Sequence, residues 1–231
     1  MKQHRPAEDP EHVRMAEVLR RLHTEYPEAR IQLRYQSPFE LLIATILSAQ
    51  CTDERVNQVT ESLFQKYRTL EDYLRVPVEE LERDIYPTGY YKSKARYIRE
   101  CCRALLERFG GEVPKTLEEL TSLPGIGRKT ANVVLGEFFE PQGIVVDTHV
   151  ARLVQRLGFV TTNNRERIEY RLMELVPKSE WVRFTHLMIA HGRNVCKAHR
   201  PRCAICVLRD LCPSAATEPP THATKRPRVE G

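Results

Sequence analysis

The chain has 231 residues, 41% of them apolar, with a formal net charge of +5. That length supports one large or two small domains with real cores, and no apolar run approaches the roughly 20 residues that a membrane span needs. The mild basicity fits a nucleic-acid partner without requiring one.

Met1 to Pro10 is polar and has no apolar stretch of the kind that directs export, and Cys51, Cys101 and Cys102 read as thiols of a reducing compartment. Nearly every following segment carries a helical signature. Met15, Val18, Leu19 and Leu22 recur at i, i+3, i+4 and i+7. Ser37-Pro38 is an N-cap followed by proline at the first helical position, and the run Phe39 to Ala49 is apolar enough for a buried central helix. Thr52 caps a helix whose Val56, Val59 and Leu63 share one face. Leu81 and Ile85 belong to a short helix ended by Pro87. Ile98, Cys101, Cys102, Leu105 and Phe109 mark a longer one stopped by Gly110-Gly111, which makes both cysteines core thiols.

Thr116 and Glu119 have capping-box spacing and open a helix reaching about Ser122. Asp147 or Thr148 caps the helix of Val150, Leu153 and Leu157, which Gly158 ends. Helices follow around Ile168 to Leu175 and Trp181 to His191. Gly143 to Val146 is the best strand candidate in an otherwise all-α chain. From about Pro213 the composition turns to Pro, Thr and charge, the signature of a disordered tail. Lys225-Arg226-Pro227-Arg228 there reads first as a solvated tail, with a nucleic-acid arm or a targeting signal as the alternatives.

Two motifs carry chemistry. Between two helices stands Leu123-Pro124-Gly125-Ile126-Gly127-Arg128-Lys129. Gly125 and Gly127 allow a sharp turn that presents backbone N–H groups at a helix start, a phosphate site that reads no sequence. The alternative is a plain helix corner. Lys129 lies in the first turn after it, where the helix dipole favours the neutral amine, a nucleophile toward a sugar carbonyl carbon. It is otherwise a phosphate contact. Asp147 can partner it by stabilising positive charge and handling protons, and can equally be a helix cap.

The second motif is Cys196, Cys203, Cys206 and Cys212, spaced C-x6-C-x2-C-x5-C. Four thiolates at this spacing suit an iron–sulfur cluster, with zinc as the alternative. Zinc sites usually use two short knuckles and only one C-x2-C is present. A disulfide framework is disfavoured by the odd total of seven cysteines.

Together these motifs resemble the endonuclease III family of DNA glycosylases. The likeness rests on Leu123 to Ala131, on Val146-Asp147-Thr148-His149-Val150, on the cysteine quartet, and on Leu47-Ser48-Ala49-Gln50-Cys51-Thr52-Asp53. It extends from residue 12 to 213. The resemblance implies an all-α helix–hairpin–helix glycosylase fold with a six-helix barrel at 31–141. A second domain, from 1–30 and 142–214, would hold a 4Fe–4S cluster, with 215–231 as tail and a DNA groove between the domains. It implies that Lys129 attacks C1′ of a damaged nucleotide and displaces the base, that β-elimination then cuts the strand, and that Asp147 assists. Base flipping is needed because C1′ is shielded in the duplex. Oxidised pyrimidines in double-stranded DNA are the implied substrate class, with abasic sites, and the expected protein is a monomer without membrane contact, cytoplasmic if prokaryotic.

Gln50 matches the residue that fills the gap left by the flipped nucleotide. Gly125, Gly127 and Arg128 fall in the hairpin, and Lys197, Arg200 and Arg202 in the loop between the first two cluster cysteines, where they can meet phosphates. Tyr90 stands where many relatives carry a leucine wedge, and Cys51 where a smaller residue is common. A monofunctional adenine-mismatch glycosylase shares the fold and the cysteines, but usually replaces the lysine by a small hydroxyl residue. A non-catalytic iron–sulfur DNA-binding module would need no lysine–aspartate pair.

Overall fold

The computed structural model describes residues 9–216, so the tail motif at 225–228 lies outside the described residues. These form eleven α-helices: α1 (Pro10–Glu25), α2 (Pro38–Leu47), α3 (Asp53–Lys66), α4 (Leu70–Arg75), α5 (Val78–Ile85), α6 (Tyr91–Phe109), α7 (Leu117–Thr121), α8 (Arg128–Phe138), α9 (Thr148–Arg156), α10 (Arg165–Leu175) and α11 (Trp181–Asn194). Short 3₁₀ turns join α5 to α6, precede α11 and carry the C-terminal cysteines. No described helix is long and apolar enough to cross a membrane.

The caps follow local chemistry. The Ser37 hydroxyl accepts from Glu40 N, and Thr52 caps α3 through Arg55 N. Asp147, not Thr148, caps α9. At α7 Thr116 accepts from Glu119 N, but the Glu119 carboxylate takes the Thr116 hydroxyl hydrogen instead of the backbone N–H, so the box is half formed. The complete box is Thr69–Asp72 at α4, a helix too short for periodicity to reveal. The helix expected to reach Ala49 stops at Leu47, because Gln50 turns left-handed. Gly143–Val146 is not a strand; it is an extended connector with no strand among the described residues to pair with.

Two apolar cores result. One gathers α2–α8 around α2, buried from Leu41 to Leu47, with Cys101 and Cys102 inside it as expected, their thiols pushed up by burial. The other gathers α1 and α9–α11 around Phe184, Met188 and Val154. The cores meet where α8 packs on α11, close enough that a Cβ on Gly136 would come within 2.8 Å of Val182 Cγ2.

A polar lock also joins them. Arg128 of α8 donates to Glu169 of α10 through Nε (2.7 Å) and a terminal nitrogen (3.0 Å), and Asn132 Nδ2 donates to the same carboxylate at 2.9 Å. Glu169 is buried, and the connector passes so close that a Cβ on Gly143 would lie 2.0 Å from Glu169 Oε1 and 2.6 Å from Asn132 Nδ2. Gly143→Ala must therefore push the carboxylate off its partners. Forced overpacking costs roughly 1–3 kcal/mol, and each kcal/mol lowers Tm by about 2–4 °C in a chain of this size. Thermal unfolding should show a drop of several degrees; an unchanged Tm would mean that the lock is not under steric constraint.

Candidate functional site

Between the two cores lies a cavity of about 330 Å³. Its walls come from the end of α2 (Ser48, Ala49, Gln50), the inner face of α8 (Lys129, Asn132, Val133), Asp147 ahead of α9, and α11 (Thr185, His186, Arg193). Lys129, Asp147 and Gln50, far apart in sequence, thus line one space.

Lys129 is exposed, and among the described residues it has no hydrogen-bond or ion-pair partner. Its amine is uncommitted, as a nucleophile's must be before substrate arrives. Asp147 is half-buried. Its Oδ1 accepts from Val150 N at 2.8 Å, and its backbone carbonyl accepts from Arg165 at 3.1 Å. Both sequence roles are therefore compatible: one carboxylate oxygen caps the helix and the other has no hydrogen-bond partner among the described residues.

Arg128 behaves differently from the expectation that grouped it with DNA contacts. Its guanidinium is taken up bidentately by buried Glu169, and it lies 5.4 Å from the Tyr170 ring centroid. It fixes the hairpin to the second core, and only its partly exposed edge is left for phosphate.

The two hairpin glycines also separate. Gly125 has φ +78°, and a Cβ there would stand 2.8 Å from Tyr97 Cβ, so backbone and packing both demand glycine. Gly127 caps α8 with extended backbone (φ −94°, ψ 171°), and a Cβ there would meet nothing within 4 Å. No internal contact requires glycine at 127. A side chain there would project into open space beside the N-terminus of α8.

Among the described residues three non-glycine residues have left-handed backbone: Gln50 (φ 52°), Tyr90 (φ 49°) and Arg200 (φ 54°). All three belong to the sequence-derived DNA-contact set. Such conformations cost of order 1–3 kcal/mol and gather at functional sites. Tyr90 is 65% exposed at the tip of the loop before α6, a large ring displayed to solvent.

The four cysteines line a second cavity, of about 30 Å³. Arg156 donates to Cys196 Sγ (3.3 Å), and His191 Nε2 lies 3.3 Å from Cys206 Sγ. Cys196, Cys206 and Cys212 are thiols, which removes the disulfide reading for them. Among the described residues no three His, Cys, Asp or Glu side chains converge tightly enough to hold one metal ion. Lys197, Arg200 and Arg202 are all exposed on the intervening loop. Arg156 also donates to the Lys197 and Ala198 carbonyls, and Arg152 to that of Cys196.

Sequence inspection missed several cavity groups. Glu137 accepts from Tyr35 Oη (2.7 Å) and lies 3.2 Å from His186 Nε2. Burial alone would raise its carboxyl, but the hydrogen bonds from His186 and Tyr35 outweigh that and hold it below its usual range. Arg193 pairs with Asp53 at 2.7 Å, bridging α11 and α3. Nothing in local pattern marks these residues; each is polar on a helix whose other face is core.

Comparison with known proteins adds independent findings. Residues 43–178 match the model of the HhH-GPD superfamily of base excision DNA repair proteins. Endonuclease III of Synechocystis is 50% identical over 203 residues, covering 87% of this chain and 93% of the relative. A solved non-covalent endonuclease III–DNA complex superimposes with TM-score 0.85 at 47% identity, covering 89% of this chain and 96% of that one. A trapped endonuclease III–DNA covalent intermediate gives the same TM-score and identity, with 89% and 97% coverage.

Gly127→Ala separates a site from a corner. Since the added methyl meets no protein atom, Tm should stay within about 2 °C or rise slightly. Affinity for duplex DNA, measured by fluorescence anisotropy, should fall by roughly tenfold or more as the methyl holds phosphate off the backbone N–H groups. Unchanged affinity would make the hairpin a plain helix corner.

Proposed function

Because the chain belongs to the HhH-GPD superfamily of base excision DNA repair proteins, in its endonuclease III branch, we propose that it is a bifunctional DNA glycosylase and AP lyase acting through Lys129. One observation carries the reading: an unpartnered lysine and a half-used carboxylate line one cavity, beside a hairpin open to phosphate. The substrate is duplex DNA with an oxidised pyrimidine, or an abasic site.

The chemistry follows from these groups. Backbone N–H groups at Gly127 hold a phosphate beside the damaged nucleotide. Gln50 and Tyr90 enter the duplex, whose lesion rotates into the cavity. The Lys129 amine attacks C1′ and the C1′–base bond breaks, the electron pair leaving with the base. Asp147 stabilises positive charge developing on the sugar and takes the proton that the new ammonium must lose. The nitrogen lone pair freed by that proton loss then opens the sugar ring: the C1′–O4′ bond breaks, O4′ takes up a proton, and the protonated imine that results acidifies the C2′ proton, whose removal expels the 3′ phosphate and cuts the strand. Lysine in this position separates the reading from a monofunctional adenine glycosylase.

The cysteine quartet fits a 4Fe–4S cluster better than zinc. All four cysteines line one cavity, and the donor set is all-sulfur with a single C-x2-C, as suits an iron–sulfur centre. When bound, the cluster would cross-link the segments carrying Cys196, Cys203, Cys206 and Cys212 and stiffen the loop that presents Lys197, Arg200 and Arg202 to DNA. This chain's own contribution is the staking of that loop by Arg152 and Arg156.

Borohydride trapping on a duplex with one thymine glycol tests the reading. The native chain should give a covalent protein–DNA band. Lys129→Gln should give none while still binding a duplex with a stable abasic analogue. A band from that variant would remove Lys129 from the mechanism. Asp147→Asn is the sharper probe of its partner, because asparagine caps helices as well as aspartate does and only the charge is lost. Tm should hold within about 2 °C, while single-turnover base release slows by roughly 10²-fold or more, the lower range for a missing acid–base group. An unchanged rate would reduce Asp147 to a cap.

A further inference from the structure

Lys94 is the most anomalous buried group outside the cavity. It lies in the first turn of α6 and is 3% exposed. Among the described residues no carboxylate pairs with it. Its ammonium donates to two backbone carbonyls, Leu47 O at 2.7 Å and Thr88 O at 2.8 Å. Burial pushes it below the usual lysine range. Burying a cation without a counter-ion is costly, and an apolar side chain of similar volume would commonly be more stable. Something other than stability accounts for a lysine here.

The two carbonyls indicate what. Leu47 is the last residue of α2, three positions before Gln50. Its carbonyl belongs to the negative end of that helix, where a cation is favoured. Thr88 closes the 3₁₀ turn two positions before Tyr90, and its own hydroxyl is anchored on Ile85 O at 2.8 Å. Gln50 and Tyr90 are two of the three left-handed non-glycine residues, and each follows one of the carbonyls that Lys94 grips. Among the described residues no other hydrogen bond or ion pair ties the two strained loops together.

We propose that Lys94 is a positioning residue: its buried ammonium holds the Gln50 loop and the Tyr90 loop at one fixed separation, so that both side chains enter the duplex together. The proposal rests on the reading that these two residues enter DNA. Lys94 itself touches neither substrate nor reacting atoms. It sets the spacing of two inserts whose backbones would otherwise relax out of their strained conformations independently. Three donors on a flexible stem suit two carbonyls from unrelated elements.

A double-mutant cycle tests this on affinity for a duplex with a tetrahydrofuran abasic analogue, where no chemistry occurs. Gln50→Ala and Tyr90→Ala should each weaken binding several-fold in the native background. Lys94→Met should weaken it by about tenfold, and adding either alanine to it should then cost less than about twofold, because coupled residues are non-additive whereas independent ones add. Full additivity would overturn the proposal and leave Lys94 a purely structural residue. If neither alanine change affects the native protein, the loops do not enter DNA, and that reading falls with the proposal. Should Lys94→Met not fold, Lys94→Gln, which keeps a single donor arm, should give the same non-additivity in weaker form; additivity there would be equally decisive.

Discussion

The site depends on how two separately packed cores are held against each other, and the buried Glu169 carboxylate is where that is settled. Lys129 belongs to α8 and the first core, Asp147 to the connector leading into the second. Neither core contains the chemistry alone. Arg128 and Asn132 reach from α8 to Glu169 on α10, locking the helix that bears the proposed nucleophile to the half that bears its proposed partner. Breaking one side of a buried pair costs about 3–5 kcal/mol, because the other charge stays buried. Arg128 directly precedes Lys129, so this interaction fixes the start of α8, with the hairpin before it and Lys129 after it. Gly143 is the steric counterpart: the connector to Asp147 runs across the lock with no room for a side chain.

Helix α9 makes a second connection. Its first turn is capped by Asp147, and two turns further on Arg152 and Arg156 grasp the loop that begins at Cys196. Nine residues of helix span only about 13 Å. One rigid element therefore sets the distance from the cavity's carboxylate to the loop bearing Lys197, Arg200 and Arg202. Gly192 supports the arrangement, since a Cβ there would come within 2.7 Å of His149 Nδ1, so α11 packs tightly on α9. The cysteine loop and the cavity are parts of one framework.

The surface facing the proposed DNA is built mostly of connections: the end of α2, the turn before α6, the hairpin before α8 and the cysteine loop. Three of these carry a non-glycine residue in left-handed conformation. Loops can hold such geometry only when the scaffold over-determines them. Here it does so with side-chain donors, buried Lys94 under two loops and the half-buried arginines of α9 under a third. The hairpin uses glycines instead: Gly125 is demanded by internal geometry, and Gly127 borders open space.

Much of this was legible in the chain itself. Helical periodicity and caps such as Ser37, Thr52 and Asp147 act within one or two turns, so their outcome depends on neighbours in sequence. The hairpin glycines, Lys129, Asp147 and the cysteine quartet are motifs whose residue types and spacing already imply their chemistry. What local pattern could not show were contacts between distant elements: Glu169 capturing Arg128, Tyr35 and His186 meeting at Glu137, Lys94 beneath two loops, and the open space at Gly127 set against the closed one at Gly125. A short helix such as α4 offers too few turns for periodicity, and Gly143–Val146 has strand-like residues but no partner strand. The sequence by itself determined which residues can react and which segments coil, because those properties are local and covalent. Tertiary structure alone decided which charged groups are free and which are bound, because that depends on what the folding of remote segments brings within hydrogen-bonding distance.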